Sequence, residues 1–151
     1  MGFYLEEIPI QTPFRTISRT VTESDVVLFG GITGDWNPLH FSEEVAKAGP
    51  FKTRIAHGAL GLSLMFGLCN QLNLFAGTLV AVVGVENWRF LRPIFIGDTV
   101  SVQFSFVEVR ATSSGTRGIV VRHTQLLNQR EEVLQEGNIT LMVRTKPKEA
   151  E

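Results

Sequence analysis

The sequence predicts an α+β domain in which helices come first and an antiparallel sheet follows. Two observations predict it. From Ile55 to about Phe75 apolar residues such as Leu60, Leu64, Met65, Leu68 and Leu72 cover every face of a helix, and a helix apolar all round is buried all round. From Thr78 onward strand follows strand, with turn residues between. A curved sheet with one apolar face can bury that face by wrapping such a helix.

Bulk properties narrow the classes. The 151 residues suit one domain, 1–151, which buries about 70% of its unfolded surface. A net charge of −1 argues against nucleic-acid binding. With 44% hydrophobic and only 19% charged residues, some apolar surface is left for an oligomeric interface. The single cysteine, Cys69, excludes an intramolecular disulfide and reads as a core thiol. Glu6, Glu7 and Pro9 break the N-terminus before any signal-like segment forms. The apolar run Gly58–Cys69 is shorter than the roughly 20 residues a membrane span needs. A cytoplasmic protein without membrane contact is expected.

Residues 1–13 read as a lead-in with two prolines, and Phe14–Val21 as a short strand. Thr22 and Asp25 form an N-cap pair for a helix through Val26–Phe29, which Gly30-Gly31 stops or loosens. A tight loop Gly34–His40 follows, in which Pro38 forbids a continuing helix and extends Asn37. Ser42 caps a short helix that ends at Gly49-Pro50. Residues 51–54 are a basic connector to the apolar helix. Thr78–Val85, nearly all apolar and β-branched, reads as a central strand that can continue to Leu91. Pro93 and Gly97-Asp98 mark a turn. Thr99–Val107 alternates, with Val100, Val102, Phe104 and Phe106 on one face. Gly118–Leu127 and Val133–Thr145 complete a meander-like sheet, joined by a turn at Asn128–Glu131. Residues 146–151 are a charged tail expected to fray.

The chemistry centres on Gly34–Ser63, which holds two of the three histidines. Asp35 reads as a buried carboxylate five residues before His40. Brought together in a loop, the two can share proton work, one activating a water and the other delivering a proton. They equally fit a turn former and a surface histidine. At His57-Gly58 the apolar helix would begin with free backbone N–H groups, able to polarise a carbonyl oxygen. Alternatively Gly58 packs on a strand and His57 caps the helix. His123 shares a strand face with Ile119, Val121 and Leu127 and reads as structural. No ligand spacing of the zinc type is present, so no metal is expected. Lys52, Arg54, Arg89 and Arg92 are candidates for phosphate contacts, though scattered cations equally fit a solvated surface. Gly30-Gly31 with Gly34 lacks the strand and helix of a dinucleotide loop, and Ser63 has no nucleophile-elbow context.

GDWNPLH at 34–40, FKTRIAHGAL at 51–60 and NWRFLRPIFIGDTV at 87–100 resemble, in order and spacing, the MaoC-like family of (R)-specific enoyl-CoA hydratases. The resemblance implies a single hot-dog domain, an antiparallel sheet around a long central helix. It implies a homodimer joined edge to edge, compatible with higher assembly. It also implies reversible hydration of a trans-2-enoyl-CoA, with no cofactor beyond the CoA of the substrate. Carried over by position, Asp35 and His40 become the catalytic pair and the Gly58 N–H the donor to the thioester oxygen. Asn37, His57 and Ser63 become substrate-binding residues. Ala59 stands where relatives often carry a bulkier residue, which leaves chain length open. Thioester hydrolysis on the same fold and non-catalytic acyl-CoA binding are the competing readings. Hot-dog thioesterases generally carry a carboxylate on the central helix, and none lies between His57 and Phe75.

Overall fold

In the computed structural model, which describes residues 2–147, six strands form one antiparallel sheet, and a helix lies along its apolar face. The strands are β1 (Pro13–Arg15), β2 (Arg19–Thr20), β3 (Leu79–Phe90), β4 (Thr99–Ala111), β5 (Arg117–Leu127) and β6 (Val133–Arg144). The helices are α1 (Glu23–Thr33), α2 (Pro38–Phe41), α3 (Glu43–Ala48) and α4 (Gly58–Gln71). The spatial order is β1-β4-β5-β6-β3, with β2 also on β4. This is the hot-dog arrangement of the α+β class.

The sheet and α4 make the core. Val100, Val102, Phe104 and Phe106 of β4 face inward as their alternation predicts, with Val120 and Leu126 of β5 and Ile139, Leu141 and Val143 of β6. They meet Leu60, Met65, Leu68 and Cys69 of α4. The helix is shorter than the apolar segment suggests and is not buried all round. Ala59, Ser63, Gly67 and Asn70 lie exposed on one side, because the sheet of a single chain covers only the other.

β3 also departs from its sequence reading. It is an edge strand, not a central one, because it skips β4 and pairs with β6. The sheet is therefore not a simple meander. Val80, Val82, Val83 and Val85 remain 41–48% exposed. Nothing local in the sequence distinguishes such a strand from a central one, since the apolar pattern is the same in both.

The remaining differences have local causes. Phe14–Val21 is two strands rather than one, each on a different stretch of β4. Gly30 and Gly31 do not stop α1; Gly30 is kept small by the Phe41 ring, 2.6 Å from where its Cβ would be. The helix ends at Gly34, whose φ of 74° is the left-handed conformation that glycine takes without strain. No helix continues through Pro38, and Asn37 is extended, with ψ 129°, as expected. The loop to His40 is not wholly irregular, however, because Pro38 begins a new helix. It starts α2 at the first helical position, where its missing N–H costs nothing. Lys146 is not frayed: its Nζ lies 2.7 Å from Glu7 and its N–H donates to Glu6. Met1 and residues 148–151 of the tail lie outside the described residues. His123 lies on the outer face of β5, against Asn138 and near Glu136, because Val120, Arg122 and Leu126 take the inner one.

The N-terminus of α1 carries a full capping box. The Thr22 hydroxyl accepts from the Asp25 N–H, and the Asp25 carboxylate accepts from the Thr22 N–H at 2.8 Å. Thr22→Ala is expected to lower stability by about 1 kcal/mol, measured as a reduced urea midpoint with unchanged slope.

Candidate active site

The site begins at the left-handed Gly34, which turns the chain out of α1. Asp35 follows, and its carboxylate accepts the Asn37 N–H at 3.3 Å. This Asx-type turn leads into α2, where the Asn37 side chain accepts the Leu39 N–H at 3.0 Å. Asn37 thus acts as the N-cap of α2, and its amide nitrogen takes no partner among the described residues. One turn later His40 points inward, 8% exposed. Asp35 is exposed, contrary to its sequence reading. The loop that presents it stands at the mouth of the site, and its carboxylate faces solvent on one side.

Two backbone carbonyls set the histidines. His40 Nδ1 lies 2.7 Å from the Ile55 carbonyl oxygen, and His57 Nε2 lies 2.9 Å from the Asp35 carbonyl oxygen. A carbonyl only accepts, so both nitrogens are donors. His40 Nε2 is left as the nitrogen that exchanges protons with the site. The two rings stack with centroids 3.8 Å apart at 29°, and Phe29 and Phe41 wall in His57. The Asp35 carboxylate and the two rings bring their polar atoms within 4.8 Å of one another. That grouping is also compact enough to hold a cation, although no ligand spacing in the sequence suggests one. A water between Asp35 and His40 could bond to both.

His57 occupies the N-cap position of α4 without capping it by side chain. The Gly58 N–H donates to no group among the described residues. It offers a partial positive charge at the start of a 14-residue helix. A Cβ on Gly58 would lie 2.9 Å from the Phe90 ring. A larger residue there would have to displace that exposed ring of β3. Beside it lies a cavity of about 450 Å³, lined by Phe51, Ala56, Gly58, Phe90, Arg92 and Gln135 among others. Ser63 is not in this cluster. It sits on the exposed side of α4, and its hydroxyl donates to the Ala59 carbonyl at 2.9 Å.

Two residues hold this framework: Gln135, which sequence reasoning did not single out, and Arg54, which it read only as a surface cation or phosphate contact. Gln135 of β6, 1% exposed, donates to the Gly58 carbonyl at 2.9 Å and accepts from the Trp88 indole at 3.2 Å. Its signal was a glutamine in register with the inward Ile139, Leu141 and Val143. Arg54 bonds Glu23 on α1 and Glu43 on α3, and the Glu23 and Glu43 side chains raise its pKa above the usual arginine value. It clamps the two helices that bracket the Asp35–His40 loop. Of the other cations, Arg89 pairs with Glu136 and Arg92 donates to the Val133 carbonyl.

An exposed carboxylate, two stacked histidines and a central-helix N-terminus without a side-chain cap thus meet at one place on a hot-dog sheet. The chain belongs to the MaoC-like domain family, which matches residues 6–128. It is 38% identical over 98 residues to the 3-hydroxyacyl-thioester dehydratase Z of Mycobacterium tuberculosis, covering 64% of this chain and 65% of that protein. It is 35% identical over 98 residues to the (R)-specific enoyl-CoA hydratase of Rhodospirillum rubrum, covering 65% of each. The matches therefore span just under two thirds of these relatives. The solved structure of a monoamine oxidase regulatory protein from Archaeoglobus fulgius superposes with a TM-score of 0.91, at 34% identity and over 97% of both chains. Among the described residues no helix is long and apolar enough to cross a membrane.

Replacing Gln135 by alanine removes both hydrogen bonds and leaves the part-buried Trp88 indole N–H without its partner. A loss of about 1–3 kcal/mol in equilibrium unfolding is expected, together with a blue-shifted or quenched Trp88 contribution to the fluorescence.

Proposed function

We propose that this chain is an (R)-specific enoyl-CoA hydratase, a hydro-lyase that reversibly adds water to a trans-2-enoyl-CoA to give the (R)-3-hydroxyacyl-CoA. The observation that carries this reading is the grouping of the Asp35 carboxylate with the His40 ring beside the uncapped first turn of α4. Asp35 accepts a proton from a bound water, whose oxygen then bonds to the β-carbon. Electron density moves through the conjugated system onto the thioester oxygen, where the Gly58 N–H stabilises it. His40 Nε2 delivers a proton to the α-carbon, and a proton passing from Asp35 to His40 restores the pair. The hydrogen bond from His57 Nε2 to the Asp35 carbonyl fixes the loop during this exchange. The free amide nitrogen of Asn37 and the open side of α4 near Ser63 supply contacts to the substrate. The reaction needs no cofactor beyond CoA, and the cytoplasm is the compartment this reading assigns.

The absence of any Asp or Glu on α4 favours hydration over thioester hydrolysis on this fold. Incubation with crotonyl-CoA is expected to bleach the conjugated thioester absorbance. Asp35→Asn and His40→Ala should each lower kcat by about 10²-fold or more while the circular dichroism spectrum is kept. Folded variants with near-normal rates would refute the assignment.

The working unit of this proposal is a homodimer, which can assemble further, formed by pairing β3 with its copy. An open edge strand with exposed valines on both faces is otherwise a template for aggregation. Val83→Lys should shift the sedimentation coefficient from dimer to monomer. An unchanged dimer would place the interface elsewhere.

A further inference from the structure

We propose that the cavity at the C-terminal end of α4 is a second binding site, for a carboxylate on a short apolar stem, with Arg122 as its anion receptor. The cavity has a volume of about 330 Å³ and is lined by Phe66, Cys69, Asn70, Leu79, Val82 and Arg122 among others. It is separate from the Asp35–His40 cluster. Gly58 and Cys69 are eleven positions apart on α4, about 16 Å along the helix axis.

Arg122 is the anomaly that points to a ligand. It sits on the inner face of β5, where its neighbours in register are apolar, and is only 5% exposed. An arginine side chain keeps its charge in proteins. Burial pushes its pKa below the ordinary arginine value but leaves the guanidinium a cation. Yet no carboxylate among the described residues pairs with it. Its Nη2 faces the Met65 sulfur at 3.5 Å, a weak acceptor, and its Nε has no partner. The guanidinium lies 5.0 Å from the centre of the Phe104 ring, a cation–π contact that offsets part of the cost of burial. The one acidic proton nearby, on Cys69, is held in place because burial raises the thiol pKa. A buried charge left this way is ordinarily paired.

The shape of the unmet demand defines the ligand. A planar guanidinium presents its N–H groups in a fork that matches a carboxylate. The remaining wall is apolar, from Phe66, Leu79, Val82 and Leu141, with the Asn70 amide as a further donor. A dianionic phosphate would meet one cation only, whereas one carboxylate balances it. Such a group arrives either as the distal end of a dicarboxylic acyl thioester or as a free short-chain acid. The proposal does not depend on the hydratase reading, and only one arm of its test uses a CoA thioester.

Thermal unfolding of the wild-type protein and of Arg122→Met is measured with hexanoate and with 1-hexanol. Methionine keeps most of the side-chain length against Phe104 and removes the buried charge. Hexanoate at ten times its dissociation constant is expected to raise the wild-type midpoint by about 3 °C, with no such shift from hexanol or in Arg122→Met. In the unsubstituted protein hexanoate, and not hexanol, is also expected to slow alkylation of Cys69, which needs no variant to fold. Equal shifts from acid and alcohol, a shift retained in Arg122→Met, or an unprotected Cys69 would each overturn the site. The source of the carboxylate is read from the ratio of kcat/KM for dodec-2-enedioyl-CoA to that for dodec-2-enoyl-CoA, chains long enough to run along α4 from Gly58 to the cavity. A fall of about 100-fold in this ratio in Arg122→Met assigns the site to the acyl chain. An unchanged ratio with hexanoate binding lost assigns it to a free acid. Absence of turnover on every enoyl-CoA would refute the hydratase reading alone.

Discussion

The position of the whole site follows from one polar tie between sheet and helix, the Gln135 amide on the Gly58 carbonyl. An apolar face of α4 against an apolar face of the sheet specifies neither the register nor the depth of the helix, because apolar contact has no direction. A buried amide with two geometric partners does. Trp88 on β3 orients the amide, Gln135 on β6 carries it, and Gly58 receives it. Gly61 allows this approach, since a Cβ there would lie 2.4 Å from the Gln135 nitrogen. The adjoining Ala56 N–H on the Ile94 carbonyl then sets the chain that leads to His57.

From that anchor the site is built outward by backbone carbonyls. Ile55 holds His40 and Asp35 holds His57, so each histidine is oriented by the segment that carries the other or its partner. The stack of the two rings closes the ring of contacts. Arg54 supplies the outer brace by holding a carboxylate on α1 and another on α3. The rigid parts are thus the histidines and the first turn of α4, while Asp35 keeps one side toward solvent. This division suits a site in which a water must arrive and leave.

Much of this was legible in the sequence where a residue acts on its own neighbours. Thr22 with Asp25 and Ser42 with its following glutamates mark real helix starts, because capping is a contact of three residues' reach. The alternation of β4 was readable because it lies in successive residues, whereas the apolar helix was read over Ile55 to Phe75 and spans only Gly58–Gln71. Asp35 and His40 were singled out together, and the fold brings them together. What failed depended on long-range pairing. The edge position of β3 is decided by β6, some fifty residues later. Which face of β5 turns inward was not readable, because apolar residues occupy both parities from Ile119 to Val121 and only the neighbouring strands choose between them. Arg122 and Gln135 went unnoticed because a polar residue among apolar ones reads as the solvent face until burial is known. The exposure of Asp35 depends on where the loop sits against the rest of the fold.

The pairing of β3 with β6 has a consequence for how the chain is made. Synthesis proceeds from the N-terminus, and domains begin to order as they emerge. Residues 79–90 leave the ribosome before the strand that covers one of their edges, with β4 and β5 made in between. During that interval both edges of Leu79–Val85 are open, and the segment has high β-propensity and no charge. Glu86 and Arg89 close it on the downstream side and act as gatekeepers against association of nascent chains. Efficient production of this fold therefore depends on how quickly residues 86–144 follow the valine run, a demand set by translation speed and holdase protection as much as by the stability of the finished sheet.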